Sequence, residues 1–234
     1  MTDVSVIMTA HREGLLVGAS VKSALEAINH ARATAGLTCE IIMVLDNASE
    51  LTATVVRAAL GEADRDVAVR ILETSEGDPG QARNQGIAVA NGLCAGFLDG
   101  DDLWAENWIS AAWQLCKERP DAVAHSMVSV TFGDDKNLRW HVDSEEVLCD
   151  PRYLPWGNYW DALSFARTQI YRDYPFRANN FGKSIGHEDW YWNTVTFAQG
   201  IPHKLVPETV HFIRRRPGSQ TEAAGRVNAT IWPV

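Results

Sequence analysis

The segment AGFLDGDDLW, residues 95–104, joins an apolar run to a turn with three carboxylates. The apolar residues up to Leu98 predict a buried strand that ends at the turn. Like charges as close as Asp99, Asp101 and Asp102 repel one another and raise each other's pKa unless a cation lies among them. Carboxylate oxygens suit Mg²⁺ or Mn²⁺, which bind through one or two carboxylates plus substrate phosphates. An isolated Asp-x-Asp is more often a solvated turn that caps the next helix, so the surrounding sequence decides between these interpretations.

The residues before this turn alternate between strand-like and helix-like patterns. Short β-branched or apolar runs predict strands, and apolar residues at helical intervals predict helices. The strands are expected over residues 4–8, 40–45, 67–72 and 93–98, and the helices between them over residues 15–33, 52–60 and 80–90. This order is typical of an α/β fold with a parallel sheet covered by helices on both faces.

Loops follow three of these strands, at residues 9–13, 46–49 and 99–102. Parallel sheets bind ligands at the carboxyl ends of their strands, so we expect the three loops to converge on one crevice. Further along the chain the regularity falls, with one strand predicted over 123–132 and a polar, turn-rich segment over 134–155. We therefore expect a less regular α+β second half that completes the cleft.

Composition places the chain among globular proteins that do not bind nucleic acid. Of the 234 residues, 46% are hydrophobic and 22% are charged, which is ordinary for one folded domain. The net charge of −9 opposes nonspecific binding to nucleic acid. The four cysteines form no Cys-x-x-Cys pair, so reduced, mostly buried thiols are expected. The first apolar segment is too short for a signal peptide or transmembrane span, which favours the cytoplasm and leaves peripheral attachment to a membrane open.

Four further motifs accompany the acidic turn. They are VLDNAS at residues 44–49, GQARNQG at 80–86, GHEDW at 186–190 and RRRPGS at 214–219. With the first strand and its loop, these motifs resemble the series of glycosyltransferase family two, in that family's order and over nearly the whole chain. The resemblance implies the GT-A fold, a Rossmann-like and mostly parallel sheet with flanking helices. It also implies an inverting, metal-dependent transfer of a sugar from a nucleoside-diphosphate sugar to an acceptor hydroxyl.

The resemblance also implies a division of the chain. Residues 1–234 are expected to form a single GT-A domain, in which residues 1–120 bind the nucleotide sugar and residues 121–216 supply the acceptor side and the base. Residues 217–234 are predicted to be a tail without a periodic pattern, and its abrupt end suggests a catalytic portion of a longer protein. The implied setting is bacterial polysaccharide or lipopolysaccharide assembly at the inner face of the cell membrane, with a glycan or glycolipid acceptor.

By the same resemblance, carboxylates carry the chemistry. Asp189 is the expected base, which removes the proton of the acceptor hydroxyl, with Glu188 beside it. The plain alternative is that both acids only favour the positive end of a helix predicted over residues 189–197. Mn²⁺ or Mg²⁺ is the expected cofactor, with Asp101 as its direct ligand and Asp99 on the metal or the ribose. The family often has a histidine that joins the metal where Arg216 stands in this chain, and His211, which is nearby, is a further candidate ligand. The plain alternative is a structural role, which is more common for a lone histidine near a strand.

Contacts to the nucleotide sugar are expected from several segments. Asp46 would accept a hydrogen bond from the nucleobase of the donor, and Arg83 would contact the same nucleobase or the ribose. Arg214 and Arg216 would bind phosphate oxygens through their guanidinium groups. The plain alternatives are a surface helix position for Arg83 and a solvated basic run for the later arginines. The full set of expected contacts is Thr9, Ala10, His11, Glu13, Asp46, Arg83, Asp99, Gly100, Arg214 and Arg216.

Aromatic residues in the second half are candidates for a platform under an acceptor sugar. A pyranose has an apolar side that an aromatic face can cover, but core packing is the expected fate of at least half of these residues. The candidates are Trp156, Tyr159, Trp160, Trp190 and Trp192.

Three other functions fit parts of the sequence. FLDGDDL resembles the nucleophile loop of haloacid-dehalogenase-like phosphatases, but that loop lies near the N-terminus and usually has threonine or valine where Leu103 stands. A nucleotidyltransferase would carry a glycine-rich loop after its first strand, and this chain has no such loop. A noncatalytic nucleotide- or sugar-binding module of the same fold stays open, although the presence of Asp99, Asp101, Glu188 and Asp189 favours an enzyme.

Overall fold

The computed structural model describes residues 2–63 and 66–232 of the chain, and in these ranges one mixed sheet carries helices on both faces. The strands are β1 (Val4–Ala10), β2 (Cys39–Asp46), β3 (Ala68–Thr74), β4 (Cys94–Asp99), β5 (Leu103–Trp104), β6 (Val123–Gly133), β7 (Asn137–Trp140), β8 (Phe165–Arg167) and β9 (His203–Arg215). The helices are α1 (Leu16–Ala35), α2 (Glu50–Leu60), α3 (Pro79–Val89), α4 (Trp108–Glu118), α5 (Thr168–Asp173), α6 (Glu188–Ala198) and α7 (Gln220–Arg226).

The first half is a parallel sheet with the order β3-β2-β1-β4. Successive residues of a strand point to opposite faces, and β1 has apolar residues on both faces. Val6 and Met8 pack in a core with α1 and α4, while Ile7 packs in a second core with α3 and α5. The strands and helices predicted for this half are confirmed, with each end correct to within two residues.

The carboxyl ends of β1, β2 and β4 meet at one edge of the sheet. The register pairs Thr9 with Asp99 and Ala10 with Leu45, which places Asp46 one residue further along the same edge. A Cβ atom on Gly100 would lie 2.9 Å from the carbonyl oxygen of Thr9, so the acidic turn passes directly against β1. The predicted convergence of the three loops is confirmed.

The second half extends the same sheet in mixed orientation. Strand β8 runs antiparallel to β4 and β6, and β6 pairs in parallel with β9, a strand that the sequence patterns do not predict. The two-residue strand β5 pairs with the end of β9, Leu103 opposite Phe212. The acidic turn therefore lies beside the arginines that follow β9. Asp102 does not cap the next helix, because α4 begins only at Trp108 and the buried Asp102 carboxylate accepts a 2.7 Å hydrogen bond from the backbone N–H of Arg214.

The segment predicted to be an irregular tail contains a helix. Helix α7 begins after Ser219, whose hydroxyl accepts from the backbone N–H of Glu222. Beyond α7, Thr230 forms a parallel bridge with Ile185, which ties this segment to the chain just before α6. Residues 233–234 of the predicted tail lie outside the described residues.

Two smaller predictions concern the cysteines and the membrane. All four cysteines are free thiols, and only Cys149 is not buried, as expected. Within residues 2–63 and 66–232 no helix combines the length and the apolar character that a membrane crossing requires.

Candidate functional site

A cavity of about 760 Å³ opens at the carboxyl edge of β1, β2 and β4 and extends under the second half of the chain. It brings together nearly all the residues that the sequence singles out, from segments far apart in the chain. The predicted residues that line it are Thr9, Ala10, His11, Glu13, Asp46, Arg83, Asp99, Gly100, Asp101, Glu188, Asp189, Arg214 and Arg216. The acidic turn and the predicted base therefore face the same space.

Arg83 lies between two carboxylates at the centre of this site. Its Nη1 is 2.9 Å from Glu188 Oε1, and its Nη2 is 2.8 Å from both carboxylate oxygens of Asp99. Burial alone would lower its pKa, but Asp99 and then Glu188 raise the pKa above the usual value. The alternative of a surface helix position is wrong, because Arg83 is only 1% exposed. Both Nη atoms of the guanidinium are already paired with these carboxylates, so Arg83 holds them in place.

Side chains around the arginine hold its two partners in place. The Thr9 hydroxyl donates to Asp99 Oδ1 at 2.9 Å. On the other side, Asn179 Nδ2 donates to Glu188 Oε2 at 2.9 Å. Both oxygens of Glu188 thus have a partner in the protein, which leaves the neighbouring Asp189 as the candidate base.

Arg216 partly neutralises the acidic turn. Its Nε is 2.5 Å from Asp101 Oδ2, and its Nη2 is 3.3 Å from Glu13 Oε1. Burial raises the pKa of Asp101, and the charge of Asp99 adds to that rise, while Arg216 opposes it. The pKa of Asp102 is raised well above its usual value by burial, then by Asp101 and Asp99. This turn concentrates negative charge, as the sequence predicts.

The donor atoms at the turn suit a hard divalent cation. Asp99 and Asp101 present carboxylate oxygens at the cavity, and Glu13 reaches the same place from the loop after β1. No group of three or more histidine, cysteine, aspartate or glutamate side chains in the described ranges is arranged to hold a metal by itself. The chemistry nevertheless fits Mg²⁺ or Mn²⁺, because these ions take one or two carboxylates and complete their shell with water and substrate phosphates.

The structure gives no support to His211 as a metal ligand. The imidazole is fully buried and is not among the residues that line the cavity. Its Nδ1 lies 3.2 Å from Asp161 Oδ2, and its ring meets Trp108 edge-on with 4.4 Å between centroids. A histidine packed in this way has a structural role.

Asp46 occupies the far end of the cavity, at the end of β2. Its carboxylate accepts hydrogen bonds from the Thr74 hydroxyl and from the backbone N–H groups of Glu76 and Gly77, at 2.6 to 2.9 Å. An ionised carboxylate has about four acceptor positions, so about one is left for a ligand. His11 lies next to it, with Nδ1 2.6 Å from the Asp46 carbonyl oxygen.

Asp189 is presented at the first turn of α6. The residue before this helix's acids, His187, has a left-handed backbone with φ of 57°, a conformation that non-glycine residues adopt at a cost and that recurs at functional sites. Burial raises the pKa of Asp189 to about 6, helped by the charge of Glu188 and opposed by Arg83. A carboxylate that is ionised at neutral pH but has a raised pKa is suited to accept a proton.

Two of the proposed platform residues are buried in the core. Trp192 packs in the core under α3, and fully buried Trp160 stacks on His203. Trp156 is 82% exposed and does not line the cavity, whereas Trp160 and Trp190 do. Asn158, which also lines it, was missed because a single amide between aromatic residues forms no motif.

Comparison with known proteins agrees with this geometry. The model of the family described as "Glycosyl transferase family 2" matches residues 5–193. The glycosyltransferase named EpsJ of Bacillus subtilis (strain 168) is 27% identical over 194 residues, which are 78% of this chain and 54% of that protein. The succinoglycan biosynthesis protein ExoO of Rhizobium meliloti (strain 1021) is 27% identical over 153 residues, 65% of this chain and 41% of that protein. The chain thus spans about half the length of these curated relatives.

Solved structures share the fold at lower identity. S. aureus TarS in complex with UDP-GlcNAc has a TM-score of 0.67 and 17% identity, over 94% of this chain and 61% of that one. The mannosyltransferase PcManGT from Pyrobaculum calidifontis, in complex with GDP-Man and Mn²⁺, has a TM-score of 0.66 and 16% identity, over 94% of this chain and 59% of that one. These likenesses confirm the predicted GT-A architecture.

Proposed function

Since the chain belongs to glycosyl transferase family 2, we propose that it transfers a sugar from a nucleoside-diphosphate sugar to an acceptor hydroxyl, with inversion at the anomeric carbon. The donor class is supported by the structural relatives, which are complexes with UDP-GlcNAc and with GDP-Man and Mn²⁺. The family match also counts against the phosphatase alternative, although both contain an Asp-x-Asp turn after a strand.

The observation that carries this proposal is the placement of Asp189 and the acidic turn in one cavity. They are linked through Arg83, which binds Glu188 on one side and Asp99 on the other. A transferase needs its base and its diphosphate site on opposite sides of the reacting carbon. An arrangement that holds both groups on a rigid buried ion pair meets this need.

In the proposed reaction Asp189 is the general base. The acceptor oxygen attacks the anomeric carbon while its proton passes to the Asp189 carboxylate, and the bond to the diphosphate breaks on the opposite face. A single displacement of this kind inverts the anomeric configuration. With a pKa of about 6, the carboxylate is ionised at neutral pH and still basic enough to take the proton.

The acidic turn and the late arginines are proposed to bind the donor's diphosphate. Asp101 and Asp99 would hold Mn²⁺ or Mg²⁺, which when bound offsets the negative charge on the departing diphosphate. Arg216 and Arg214 would donate to phosphate oxygens, for which a planar guanidinium is well shaped. Asp46 and His11 would contact the nucleobase of the donor at the other end of the cavity.

We place the reaction in bacterial glycan assembly, with a glycan or glycolipid acceptor. This setting is supported by the relatives, which include a protein named for succinoglycan biosynthesis. A cytoplasmic reaction at the inner face of the cell membrane stays a prediction from the sequence.

Donor binding can be tested by thermal-shift titration. A ligand that binds only the folded state raises the melting temperature by mass action. UDP, GDP, UDP-GlcNAc and GDP-Man are titrated with and without Mn²⁺. We expect either the uridine or the guanosine nucleotides to raise the melting temperature of the wild type. The same stabilisation should be lost in Asp101→Ala. If no nucleotide raises the melting temperature of the wild type, or if the melting temperature of Asp101→Ala rises as much as that of the wild type, the proposed donor site is wrong.

A further inference from the structure

Asn158 is the side-chain neighbour of Asp189 that comes from the segment between β7 and β8. Its Nδ2 lies 3.5 Å from Asp189 Oδ2, and both residues line the cavity. The Asn158 carboxamide meets α6 at two points, because its Oδ1 lies 3.2 Å from Nδ2 of Asn193. Since Asp189 and Asn193 are four residues apart on one helix, both face the same way, towards Asn158.

The surrounding donors fix which end of the carboxamide faces the carboxylate. The Oδ1 atom accepts from the backbone N–H of Trp160 at 3.3 Å and from Asn193 at 3.2 Å. A flipped amide would place its NH₂ group against these two donors and its oxygen against the carboxylate of Asp189. The backbone N–H of Trp160 can only donate, so it favours the orientation in which the N–H bonds of Asn158 point at Asp189.

Asn193 is itself held in place. It is 1% exposed, and the next turn of α6 is anchored by the Thr196 hydroxyl, 2.9 Å from His203 Nε2 on β9. The carboxamide of Asn158 therefore rests on a buried helix face rather than on a mobile surface group. Such support is what a residue needs to orient another one reproducibly.

Resting on the proposed role of Asp189 as the base, we propose that Asn158 is a positioning residue, which holds one oxygen of the base through its N–H and leaves the other to the acceptor hydroxyl. A donor that faces a carboxylate favours its ionised form. The charged and titratable groups that also face Asp189 are Glu188 and His187 from its own segment and Arg83 from α3. Asn158 differs from these groups because it is neutral, and it comes from the segment between β7 and β8.

Two substitutions separate this role from a structural one. Asn158→Ala removes both the donor and the acceptor. Asn158→Asp keeps an oxygen that can accept from Trp160 and Asn193, but it replaces the donor by a second negative charge. A residue needed only for its acceptor contacts would tolerate the aspartate better than the alanine. A positioning residue for Asp189 would show the opposite order.

The readouts are the pH dependence of kcat and the ¹³C NMR titration of the Asp189 carboxyl, assigned by its disappearance in Asp189→Asn. The 3.5 Å contact is long, so for Asn158→Ala we expect the pH of half-maximal kcat to rise by about half a pH unit, and for Asn158→Asp by more than about one. The NMR pKa should rise in the same order, and KM for the donor should change little. The control is Thr194→Val, which removes a side-chain bond on the same helix, to the Trp190 carbonyl, and should move neither readout.

The outcomes distinguish this inference from the proposed function. If Asp189→Asn retains wild-type turnover, the assignment of the base is wrong, whatever Asn158 does. If Asp189→Asn is inactive but both Asn158 variants keep the wild-type pH profile and carboxyl pKa, the positioning role is wrong. A larger shift for Asn158→Ala than for Asn158→Asp would also overturn it.

Discussion

Arg83 Nη1 lies 2.9 Å from Glu188 Oε1, and Nη2 of the same guanidinium lies 2.8 Å from both oxygens of Asp99. One buried cation thus ties the helix that presents the proposed base to the strand that ends in the acidic turn. These carboxylates belong to the two halves of the chain. The ion pairs therefore set the distance between the groups that would act on either side of the sugar.

Replacing this arginine should destabilise the fold as well as the site. Arg83→Met leaves Glu188, which is 7% exposed, without its charged partner inside the protein. Removing one partner of a buried ion pair costs about 3 to 5 kcal/mol, because an uncompensated charge stays buried. Asp99 is more exposed and can be solvated, so we expect a loss near the lower end of this range. Urea denaturation followed by circular dichroism measures it.

Arg57→Met is the matched control. Arg57 lies 2.6 Å from Glu73, but both side chains are more than half exposed. Exposed pairs contribute about 0 to 1 kcal/mol, so this variant should unfold close to the wild-type midpoint. Equal losses in the two variants would show that Arg83 is not a buried support.

The first half of the fold was predictable because its central strands β1, β2 and β4 are mostly buried and its helices have one apolar face. The run Ile41–Leu45 is an example, since all of its residues are apolar and buried. Strand β9 was not predictable in this way. Its buried positions recur irregularly, with Pro207 and Glu208 exposed in the middle of the strand, and its pairing with β6 joins residues about 80 apart. Local patterns carry no information about such a partner.

In the candidate site, too, the sequence indicates some residues and only the structure shows the others. Asp99, Asp101 and Asp189 were found because charged residues after strands or at a helix start form motifs. The burial of Arg83 was not predictable, since its helix position alone indicates a surface residue. Asn158 could be found only from its neighbours in space.

Asp189→Asn should strongly lower turnover while donor binding is kept. The amide has nearly the shape of the carboxylate but cannot accept the acceptor's proton. Loss of a general base lowers turnover by about 10²- to 10⁴-fold. In the wild type, kcat should fall as the pH drops through about 6, where Asp189 becomes protonated. Steady-state kinetics across pH, with the nucleotide and acceptor found by screening, provide the measurement.

Asp173→Asn serves as the control for this variant. Asp173 is an exposed acid at the end of α5, where it accepts from Gln169, and it is not among the cavity residues. Loss of this carboxylate should change neither kcat nor the pH below which kcat falls. An Asp189→Asn enzyme that still turned over at a rate near the wild type would remove Asp189 from the mechanism.

The raised pKa of Asp189 also has a consequence for stability. Because its folded-state pKa is about 6 against an ordinary value of 3.8, the folded protein holds this proton more tightly than the unfolded chain does. This group's contribution to folding stability therefore decreases as pH rises from 3.8 to about 6, and the full cost is present above pH 6. The neutral amide in Asp189→Asn would carry no such cost.

We accordingly expect Asp189→Asn to be more stable than the wild type at about pH 7.5 and equal to it at about pH 3.5. The difference should be about 1 kcal/mol, because the partly accessible carboxylate is screened by solvent. Thermal unfolding at the two pH values tests this. A variant less stable than the wild type at the higher pH would mean that the carboxylate is favourably paired in the folded state.

Arg216→Ala tests the phosphate end of the site. Arg216 is paired with Asp101 at 2.5 Å and with Glu13 at 3.3 Å, so its guanidinium is already held at the turn where the diphosphate would bind. A charge-assisted hydrogen bond contributes about 1.5 to 3 kcal/mol, so its loss should weaken UDP or GDP binding by about 10- to 100-fold. Calorimetric titration of whichever nucleotide the wild type binds, at fixed Mn²⁺, measures the effect.

Arg216→Lys and Arg226→Ala complete this experiment. The lysine keeps the charge but not the planar fork, so the affinity should fall between those of the alanine variant and the wild type. Arg226 pairs with Glu222 on the exposed side of α7 and does not line the cavity, so its removal should leave binding unchanged. If Arg216→Ala binds the nucleotide as tightly as Arg226→Ala does, Arg216 serves only to neutralise Asp101 and Glu13, and the diphosphate must be held by other groups.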